Sequence, residues 1–465
     1  MKLRHSVIFF FSVILILAVL SITFPQPVLN IGKISLRFPS ADKMLEQMAT
    51  DTLRTAEQML MEAEQTLKMS ASDSVAQAQA DSLSFYKNFF ANSPMRIACP
   101  NNDPSYLFPL FDALRNATNK GLHVMHYGDS QIEGDRISGY LRTKLQKQFG
   151  GSGPGFIPMQ QPIAAMNVKQ TLSDSISMYY AGGMIGNKAP HNRYGAMAQM
   201  AQINTTDTIQ LDIKSYHGRN ISQLTIFAGA IDSAFTFIAG GKLLHFAPSK
   251  QMIKQKISFN RAVANIEAHF SGKAEVYGLY LSGSNGVNVS NIPLRGSDGT
   301  FFSRIDKEEF RAMHKAVNTQ LIIMEFGGNA LPMITDTTSV DNWCKNFRRQ
   351  VELMKQLVPQ AKVLVIGPAD MSVKIEGVLQ THPMLPYLTQ KMEQEVTASG
   401  AAFWNMYAVM GGRQSMLSWV SHSPAWAAPD YVHFTKKGAD RISEVLCEAL
   451  NIYYNYQNYL KQIHQ

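Results

Sequence analysis

The chain has 465 residues, of which 45% are hydrophobic and 17% charged, with a formal net charge of +8 at pH 7. That composition is typical of a folded protein of two or more domains and excludes a largely disordered chain. Lysine and arginine are scattered along the sequence, which argues against nucleic-acid binding. The three cysteines form neither a zinc-ligand pattern nor a disulfide framework, so we expect no metal and no other cofactor.

Residues 1–25 have the pattern of an export signal. Lys2, Arg4 and His5 precede an apolar stretch from Val7 to Phe24, and about 18 residues at ~1.5 Å each approach the ~30 Å thickness of a bilayer core. No convincing cleavage site follows, which favours an uncleaved signal anchor; a cleaved signal peptide is the alternative. In both cases the basic end stays inside and the rest of the chain is exported.

Residues 26–95 are predicted to be a linker and a helical stalk. Pro25, Pro27 and Pro39 indicate an extended linker, and residues 41–91 contain no Gly or Pro and many helix-forming residues. The apolar stripe of this segment lacks clean heptads, so a coiled-coil dimer is the alternative to a single stalk. The oligomeric state is left open by the sequence.

Residues 96–150 begin an α/β unit. The apolar run 122–127 is predicted to be a buried strand, and it leads through Gly-Asp to Ser130, with a helix-like segment at 136–149. A serine at such a strand-to-helix turn can expose its hydroxyl beside backbone N–H groups. The alternative is an ordinary helix N-cap.

The composition changes after that unit and then changes back. A glycine-rich break at 150–155 is followed by short alternating segments and turns, which predict a β-sandwich over 151–284. Residues 285–465 alternate strand and helix patterns, which predict a doubly wound, largely parallel sheet. The α/β domain is therefore expected to be discontinuous, made of 96–150 and 285–465, with the sandwich inserted.

Three later sites carry candidate chemistry. Asp430 precedes His433 by three residues, so the acid can orient the imidazole while its Nε2 accepts a serine proton. Asn329 follows an apolar strand and two glycines, where its amide can donate to a developing oxyanion. Gly299, with Gly296 as the alternative, is a candidate for a backbone N–H where substrate approaches closely. Taken singly, each is also an ordinary loop residue.

Together these blocks resemble those of the SGNH (GDSL-like) hydrolase family. The order is Gly-Asp-Ser-Gln at 128–131, a glycine turn, Gly-Gly-Asn at 327–329, then Asp430 to His433. Gln131 stands where many family members carry Leu. The inserted segment makes the chain similar to periplasmic peptidoglycan O-acetylesterases, whose inserted β-sandwich resembles a carbohydrate-binding module. The resemblance implies an SGNH-type three-layer α/β/α parallel sheet.

The resemblance also implies roles for the candidate residues. Ser130 would be the nucleophile, His433 the general base and Asp430 the residue that orients it. The oxyanion hole would comprise the Ser130 N–H, the Gly299 N–H and the Asn329 side chain. No cofactor is implied.

These roles lead to an expected function. The chain is expected to be a serine esterase that removes O-acetyl groups from a cell-envelope glycan, with peptidoglycan favoured, through an acyl-enzyme intermediate. The alternatives are a polysaccharide O-acetyltransferase using the same triad and a non-catalytic glycan-binding envelope protein. Expected partners are an acetylated glycan and the membrane. The expected location is the bacterial inner membrane with the catalytic domain in the periplasm, or secretion if the signal is cleaved.

Overall fold

The computed structural model of the chain describes residues 28–31, 34–37, 75–184, 186–216 and 220–463. The predicted signal anchor and most of the predicted stalk lie outside these ranges. Within them, no helix combines the length and the apolar character needed to cross a membrane. The chain divides into two compact units, residues 1–61 and residues 62–465.

The first unit contains a short β-hairpin in the segment predicted to be an extended linker. Strands β1 (Val28–Ile31) and β2 (Ile34–Arg37) pair antiparallel, with Ile31 opposite Ile34. Valine, isoleucine and leucine favour strands, and two intervening residues are the commonest hairpin connection. These local preferences outweigh the prolines on either side.

The second unit contains all the other helices and strands described. Its strands are β3 (Ile97–Ala98), β4 (Leu122–Gly128), β5 (Gly155–Ile157), β6 (Val168–Leu172), β7 (Ser177–Tyr180), β8 (Gln199–Ser215), β9 (Ile221–Ala239), β10 (Lys242–Phe246), β11 (Ile253–Val263), β12 (Asn265–Ser282), β13 (Val287–Pro293), β14 (Thr319–Glu325), β15 (Lys362–Ile366), β16 (Ser372–Ile375), β17 (Val378–Thr381) and β18 (Ala402–Trp404). Its α-helices are α1 (Val75–Asn92), α2 (Phe108–Arg115), α3 (Ala117–Lys120), α4 (Ser138–Phe149), α5 (Lys307–Ala316), α6 (Thr337–Leu357), α7 (Leu385–Ala398), α8 (Met406–Met410), α9 (Ser415–Ser421) and α10 (Lys436–Ile463).

A six-stranded sheet forms the centre of this unit. Its strand order is β13-β4-β14-β15-β18-β3, and every pair is parallel except β18 with β3. Every residue of β4 is buried, and β14 and β15 are buried at nearly every position. Continuous apolar strands of this kind are buried on both faces. The parallel α/β fold predicted from the sequence is confirmed.

Helices cover the two faces of the sheet. Val124 and Leu321 line one apolar cavity together with residues of α2, α4 and α10. Their neighbours Met125 and Ile322 belong to a hydrophobic cluster with residues of α6 and α7. Because successive strand residues point to opposite faces, the two helix groups lie on opposite sides of the sheet. The unit therefore has three layers, α/β/α.

The strands of the parallel sheet end together at one edge. Gly128 at the end of β4 is paired with Glu325 at the end of β14, which is paired with Ile366 at the end of β15. The turns that follow these strands are therefore neighbours. In open α/β sheets this carboxyl edge is where ligands bind.

The inserted segment forms one sheet instead of the two sheets of a sandwich. Its eight strands are all antiparallel, in the order β10-β9-β12-β8-β6, with β11 on β9, β5 on β12 and β7 on β8. Strands β8, β9 and β12 have 17, 19 and 18 residues, and β12 has register shifts that bend it. Ile226 and Phe237, from opposite halves of β9, belong to one hydrophobic cluster. The sequence pattern predicted many short strands around this core. The structure instead has three long bent strands that enclose it.

The insert and the parallel sheet share a second core. Phe156, Phe227 and Tyr277 from the insert lie in the same buried cluster as Tyr127 of β4. Tyr127 donates a hydrogen bond to the Ala196 carbonyl at 2.5 Å, so the contact also includes buried polar groups.

The C-terminal part of helix α1 packs against helix α10, whereas a free stalk would make no such contact. The ring centroids of Phe90 and Tyr453 of α10 are 4.7 Å apart, and those of Tyr86 and Tyr456 are 5.0 Å apart. Tyr453 in turn donates to the Ile97 carbonyl at 2.6 Å. Residues Val75–Asn92 of the predicted stalk are helical, and the C-terminal part of this helix packs on α10.

Candidate active site

Ser130 occupies the first turn after strand β4. It opens the 3₁₀ helix Ser130–Asp135, whose N-cap is Asp129: the Asp129 Oδ1 accepts the Gln131 N–H at 2.8 Å. The alternative reading of Ser130 as an N-cap is therefore wrong, because its neighbour performs that task. The serine hydroxyl is left free to bond elsewhere.

The structure brings the three predicted triad residues together. Ser130 Oγ lies 2.8 Å from His433 Nε2, and His433 Nδ1 lies 2.8 Å from Asp430 Oδ2. These distances are those of normal hydrogen bonds. The order of the bonds is the one that lets an imidazole accept a serine proton while a carboxylate holds its other nitrogen.

Asp430 is held by the same turn that carries the histidine. Its Oδ1 accepts the backbone N–H groups of Val432 and His433, both at 3.0 Å. Partial burial raises the pKa of Asp430, but these hydrogen bonds and the one from the imidazole outweigh it, so the pKa is lower than usual. The carboxylate is thus ionised at neutral pH, as an orienting group must be.

Asn329 lines the pocket beside Ser130, and one hydrogen of its amide nitrogen is used in a hydrogen bond there. Its Nδ2 donates to Asp129 Oδ2 at 2.7 Å. An amide nitrogen carries two hydrogens, so one remains for a substrate oxyanion. Burial raises the pKa of Asp129 to about 7, the Gln131 N–H lowers it, nearby Glu325 raises it and Asn329 lowers it. A carboxyl group that titrates near neutrality therefore adjoins the nucleophile.

The two glycines proposed for the oxyanion hole do not line the pocket beside Ser130. The Gly299 N–H donates to Ser297 Oγ at 3.2 Å, and a side chain at Gly299 would meet Phe326 and Phe347. A side chain at Gly296 would meet Met184. The glycine at 299 is explained by its positive φ of 81° and tight packing.

A buried polar network joins the end of strand β14 to strand β4, which leads into the nucleophile turn. His126 Nε2 bonds to Glu325 Oε2 at 3.1 Å, and His126 Nδ1 bonds to Ser138 Oγ at 2.9 Å. Glu325 Oε1 has no hydrogen-bond partner in the described part of the chain. The sequence signal for this network is Glu325, an acidic residue at the end of the apolar strand β14. It places a second carboxyl group near Asp129.

A pocket of about 110 Å³ opens beside the triad. It is lined by Asp129, Ser130, Gln131, Glu325, Phe326, Gly328, Asn329, Pro332, Pro368, Ala369, Met371, Met406, Val432 and His433. A larger cavity of about 280 Å³, lined in part by Glu133, Tyr180 and Arg295, contains none of the triad. Because chemistry requires contact with Ser130, the smaller pocket is the candidate active site. No group of three or more potential metal ligands occurs in the described ranges.

Comparison with known proteins supports the fold. No protein-family model matches the chain, and no curated protein matches it. A solved structure of a peptidoglycan O-acetylesterase matches with a TM-score of 0.62 and 18% sequence identity, over 76% of this chain and 98% of that one. The chain therefore shares the fold of that protein.

Other solved structures are more distant. A family two carbohydrate esterase from Clostridium thermocellum, in complex with cellohexaose, has a TM-score of 0.26 and 10% identity over 61% of this chain and 100% of that one. A psychrotrophic esterase from Pseudoalteromonas sp. has a TM-score of 0.26 and 15% identity over 36% of this chain and 79% of that one.

Proposed function

We propose that this protein is a serine esterase that removes O-acetyl groups from a cell-envelope glycan, with peptidoglycan favoured. The observation that carries the proposal is the unbroken hydrogen-bond chain from Asp430 through His433 to Ser130, at the mouth of a small pocket. The fold shared with a peptidoglycan O-acetylesterase supports the choice of substrate.

The first half of the reaction acylates the enzyme. Ser130 Oγ attacks the acetyl carbonyl while His433 Nε2 takes the hydroxyl proton, and Asp430 stabilises the imidazolium that forms. The Ser130 N–H and the free hydrogen of Asn329 donate to the oxyanion. The tetrahedral intermediate then expels the sugar oxygen, which receives the proton from His433. The sugar leaves with a hydroxyl group, and Ser130 carries the acetyl group.

The second half restores the enzyme. A water molecule enters the place of the sugar, and His433 removes its proton as the oxygen attacks the acetyl-serine carbonyl. The tetrahedral intermediate collapses, the Ser130 oxygen recovers the proton and acetate leaves. The side chain of His433 is 33% exposed, so water has access to the imidazole.

The cell envelope is proposed as the location. The basic N-terminus followed by an apolar stretch supports an inner-membrane anchor with the catalytic domain in the periplasm. Fractionation of cells producing the full chain tests this proposal. Recovery in the cytoplasmic soluble fraction would contradict it, and recovery in the medium would indicate a cleaved signal.

Replacement of Ser130 by Ala tests the nucleophile. The variant should lose at least about 10³-fold in kcat on 4-nitrophenyl acetate, as removal of a triad member does. It should also stop releasing acetate from O-acetylated peptidoglycan. The exposed Ser421→Ala change should have no effect. Undiminished turnover by Ser130→Ala would overturn the assignment.

The acceptor of the acetyl group separates the esterase from its alternatives. Acetate release without transfer to an added oligosaccharide indicates the esterase, whereas acetylated oligosaccharide indicates an O-acetyltransferase using the same triad. Glycan binding without labelling of Ser130 by a fluorophosphonate would indicate a non-catalytic glycan-binding protein.

A further inference from the structure

Gln131, the residue after the nucleophile, bonds to the loop that carries the catalytic histidine. Its Nε2 donates to the Val432 carbonyl at 2.9 Å, and its Oε1 accepts the Phe434 N–H at 3.1 Å. These two backbone groups belong to the residues immediately before and after His433. The carboxamide therefore holds the main chain on both sides of the imidazole, and the Gln131 side chain is buried.

Several other bonds connect residues within the loop that carries His433. The His433 carbonyl accepts the Ala428 N–H at 2.7 Å, and Asp430 accepts N–H groups from within its own turn. All of these partners lie within residues 428–433, so the bonds determine the internal conformation of the loop.

A second side chain joins the same two segments. Arg136 donates from Nη2 to the Ser130 carbonyl at 2.6 Å and from Nη1 to the Phe434 carbonyl at 3.0 Å. Arg136 thus contacts the residue after His433 only, whereas Gln131 contacts the residues on both sides of it. The nucleophile turn and the histidine loop are thus tied by side-chain to main-chain bonds.

We propose that Gln131 is a positioning residue that holds His433 Nε2 at hydrogen-bonding distance from Ser130 Oγ. The proposal rests on the esterase function proposed above. The His433 side chain is one-third exposed, so packing alone does not immobilise it. Catalytic groups must be held within about 0.5 Å of their productive geometry, and here the main chain on both sides of the imidazole supplies that restraint.

The chain offers a matched control for a glutamine that bridges main-chain groups. Gln146 donates from Nε2 to the carbonyls of Gly153 and Val287, at 3.0 and 3.1 Å. The Gln146 side chain is half-buried, and neither of these carbonyls belongs to the segments that carry Ser130 or His433. Replacing either glutamine by Met keeps the length of the side chain and removes both bonds.

The experiment compares Gln131→Met with Gln146→Met in the full chain. Gln131→Met should lower kcat on 4-nitrophenyl acetate by about 10- to 100-fold, because misplacement of a catalytic group by ~1 Å has an effect of that size. KM should change less than about twofold. The downfield proton resonance of His433 Nδ1–H, identified by its loss in His433→Ala, should broaden or vanish. Gln146→Met should keep the wild-type kcat and resonance.

The result that overturns the proposal is equally specific. It is a Gln131→Met enzyme whose kcat lies within twofold of wild type and whose His433 resonance is unchanged. Equal losses of kcat in both glutamine variants would overturn it as well, since a general loss of stability would then explain them.

Two further measurements cover the remaining cases. If Gln131→Met does not fold, Gln131→Glu keeps the acceptor for the Phe434 N–H and loses the donor to Val432. An intermediate fall in kcat supports the proposal and wild-type kcat overturns it. If the wild-type chain hydrolyses no acetyl ester, the esterase function fails. The His433 resonance of Gln131→Met then decides the positioning role by itself.

Discussion

At the scale of single residues, the site combines the predicted triad with two further carboxyl groups, those of Asp129 and Glu325. Asp129 caps the nucleophile turn and accepts the amide of Asn329, so it links two sequence blocks. Glu325 lies near it, and its Oε1 has no hydrogen-bond partner among the residues that the structure describes. In the proposed mechanism the oxyanion hole consists of Asn329 and the Ser130 N–H, and the site gains a carboxyl group whose pKa is raised to about 7.

Asn329 is expected to contribute through its amide hydrogens. Asn329→Ala should reduce kcat on 4-nitrophenyl acetate by about 10²- to 10³-fold, the usual effect of removing one oxyanion donor. KM should change little, because the bond forms chiefly in the transition state. Asn116→Ala, a change at an exposed amide distant from the site, serves as the control. A decrease of less than about threefold in Asn329→Ala would rule out the role.

Asp129 is expected to make stability depend on pH. Its folded pKa of about 7 exceeds the ~3.9 of an unfolded aspartate, so the folded state binds the proton more tightly. The resulting stability is fully present below about pH 4 and is lost as the pH rises to about 7, by at most a few kcal/mol.

Chemical denaturation between pH 5 and 8 tests this linkage. Asp129→Asn cannot titrate, so its free energy of unfolding should rise relative to wild type as the pH increases. The exposed Asp207→Asn change should leave the wild-type slope intact. Parallel pH profiles for wild type and Asp129→Asn would show that Asp129 does not titrate in this range.

At the scale of elements, the loop that carries His433 leads directly into helix α10, and the start of that helix packs against the preceding chain. Thr435 precedes that helix, and its hydroxyl accepts the Gly438 N–H at 3.3 Å. A side chain added at Gly438 would lie 1.8 Å from the Trp426 carbonyl oxygen. The helix and the chain preceding Asp430 therefore fit together only with glycine at this position.

Gly438→Ala should destabilise the protein, although the same change usually stabilises a helix. The usual gain of about 0.5–1 kcal/mol should be outweighed by overpacking against main chain, which typically costs about 1–3 kcal/mol. Denaturant titration should show a lower midpoint at an unchanged slope. Lys437→Ala, at the exposed preceding position, should stay within about 0.5 kcal/mol of wild type. A stabilised Gly438→Ala variant would contradict this packing.

At the scale of the whole molecule, the insert is joined to the parallel sheet by buried contacts. Phe156 donates its N–H to Ser290 Oγ at 2.7 Å, and Tyr277 donates its hydroxyl to Glu309. Together with the shared hydrophobic cluster, these contacts make the insert part of the core. A detachable binding module would instead meet the rest of the chain across a polar boundary.

Residues 96–465 should accordingly unfold in one transition. Tryptophan fluorescence reports on the parallel sheet, because all four tryptophans lie outside the insert, and β-sheet circular dichroism is dominated by the insert. The two signals should share one midpoint. Deletion of residues 158–282 should yield a protein without a cooperative transition. A first transition seen only by circular dichroism would show that the insert folds separately.

The sequence by itself determined the parallel sheet, the insert and three of the site residues. Buried strands are continuous apolar runs, and Ser130, Asp430 and His433 occur in short motifs at strand ends. Both are local patterns, which a chain displays whether or not its distant parts are known. The order of the motifs then indicated the class of chemistry.

Only the tertiary structure decided how these parts fit together. Gly299 was assigned to the oxyanion hole from its motif, yet its N–H bonds to Ser297 and two phenylalanines occupy the space beside it. Gln131 bonds to Phe434 across 303 positions of the chain. The insert closes as one sheet because its strands are long enough to bend. Contacts between distant residues depend on how elements pack, and no local periodicity records that packing.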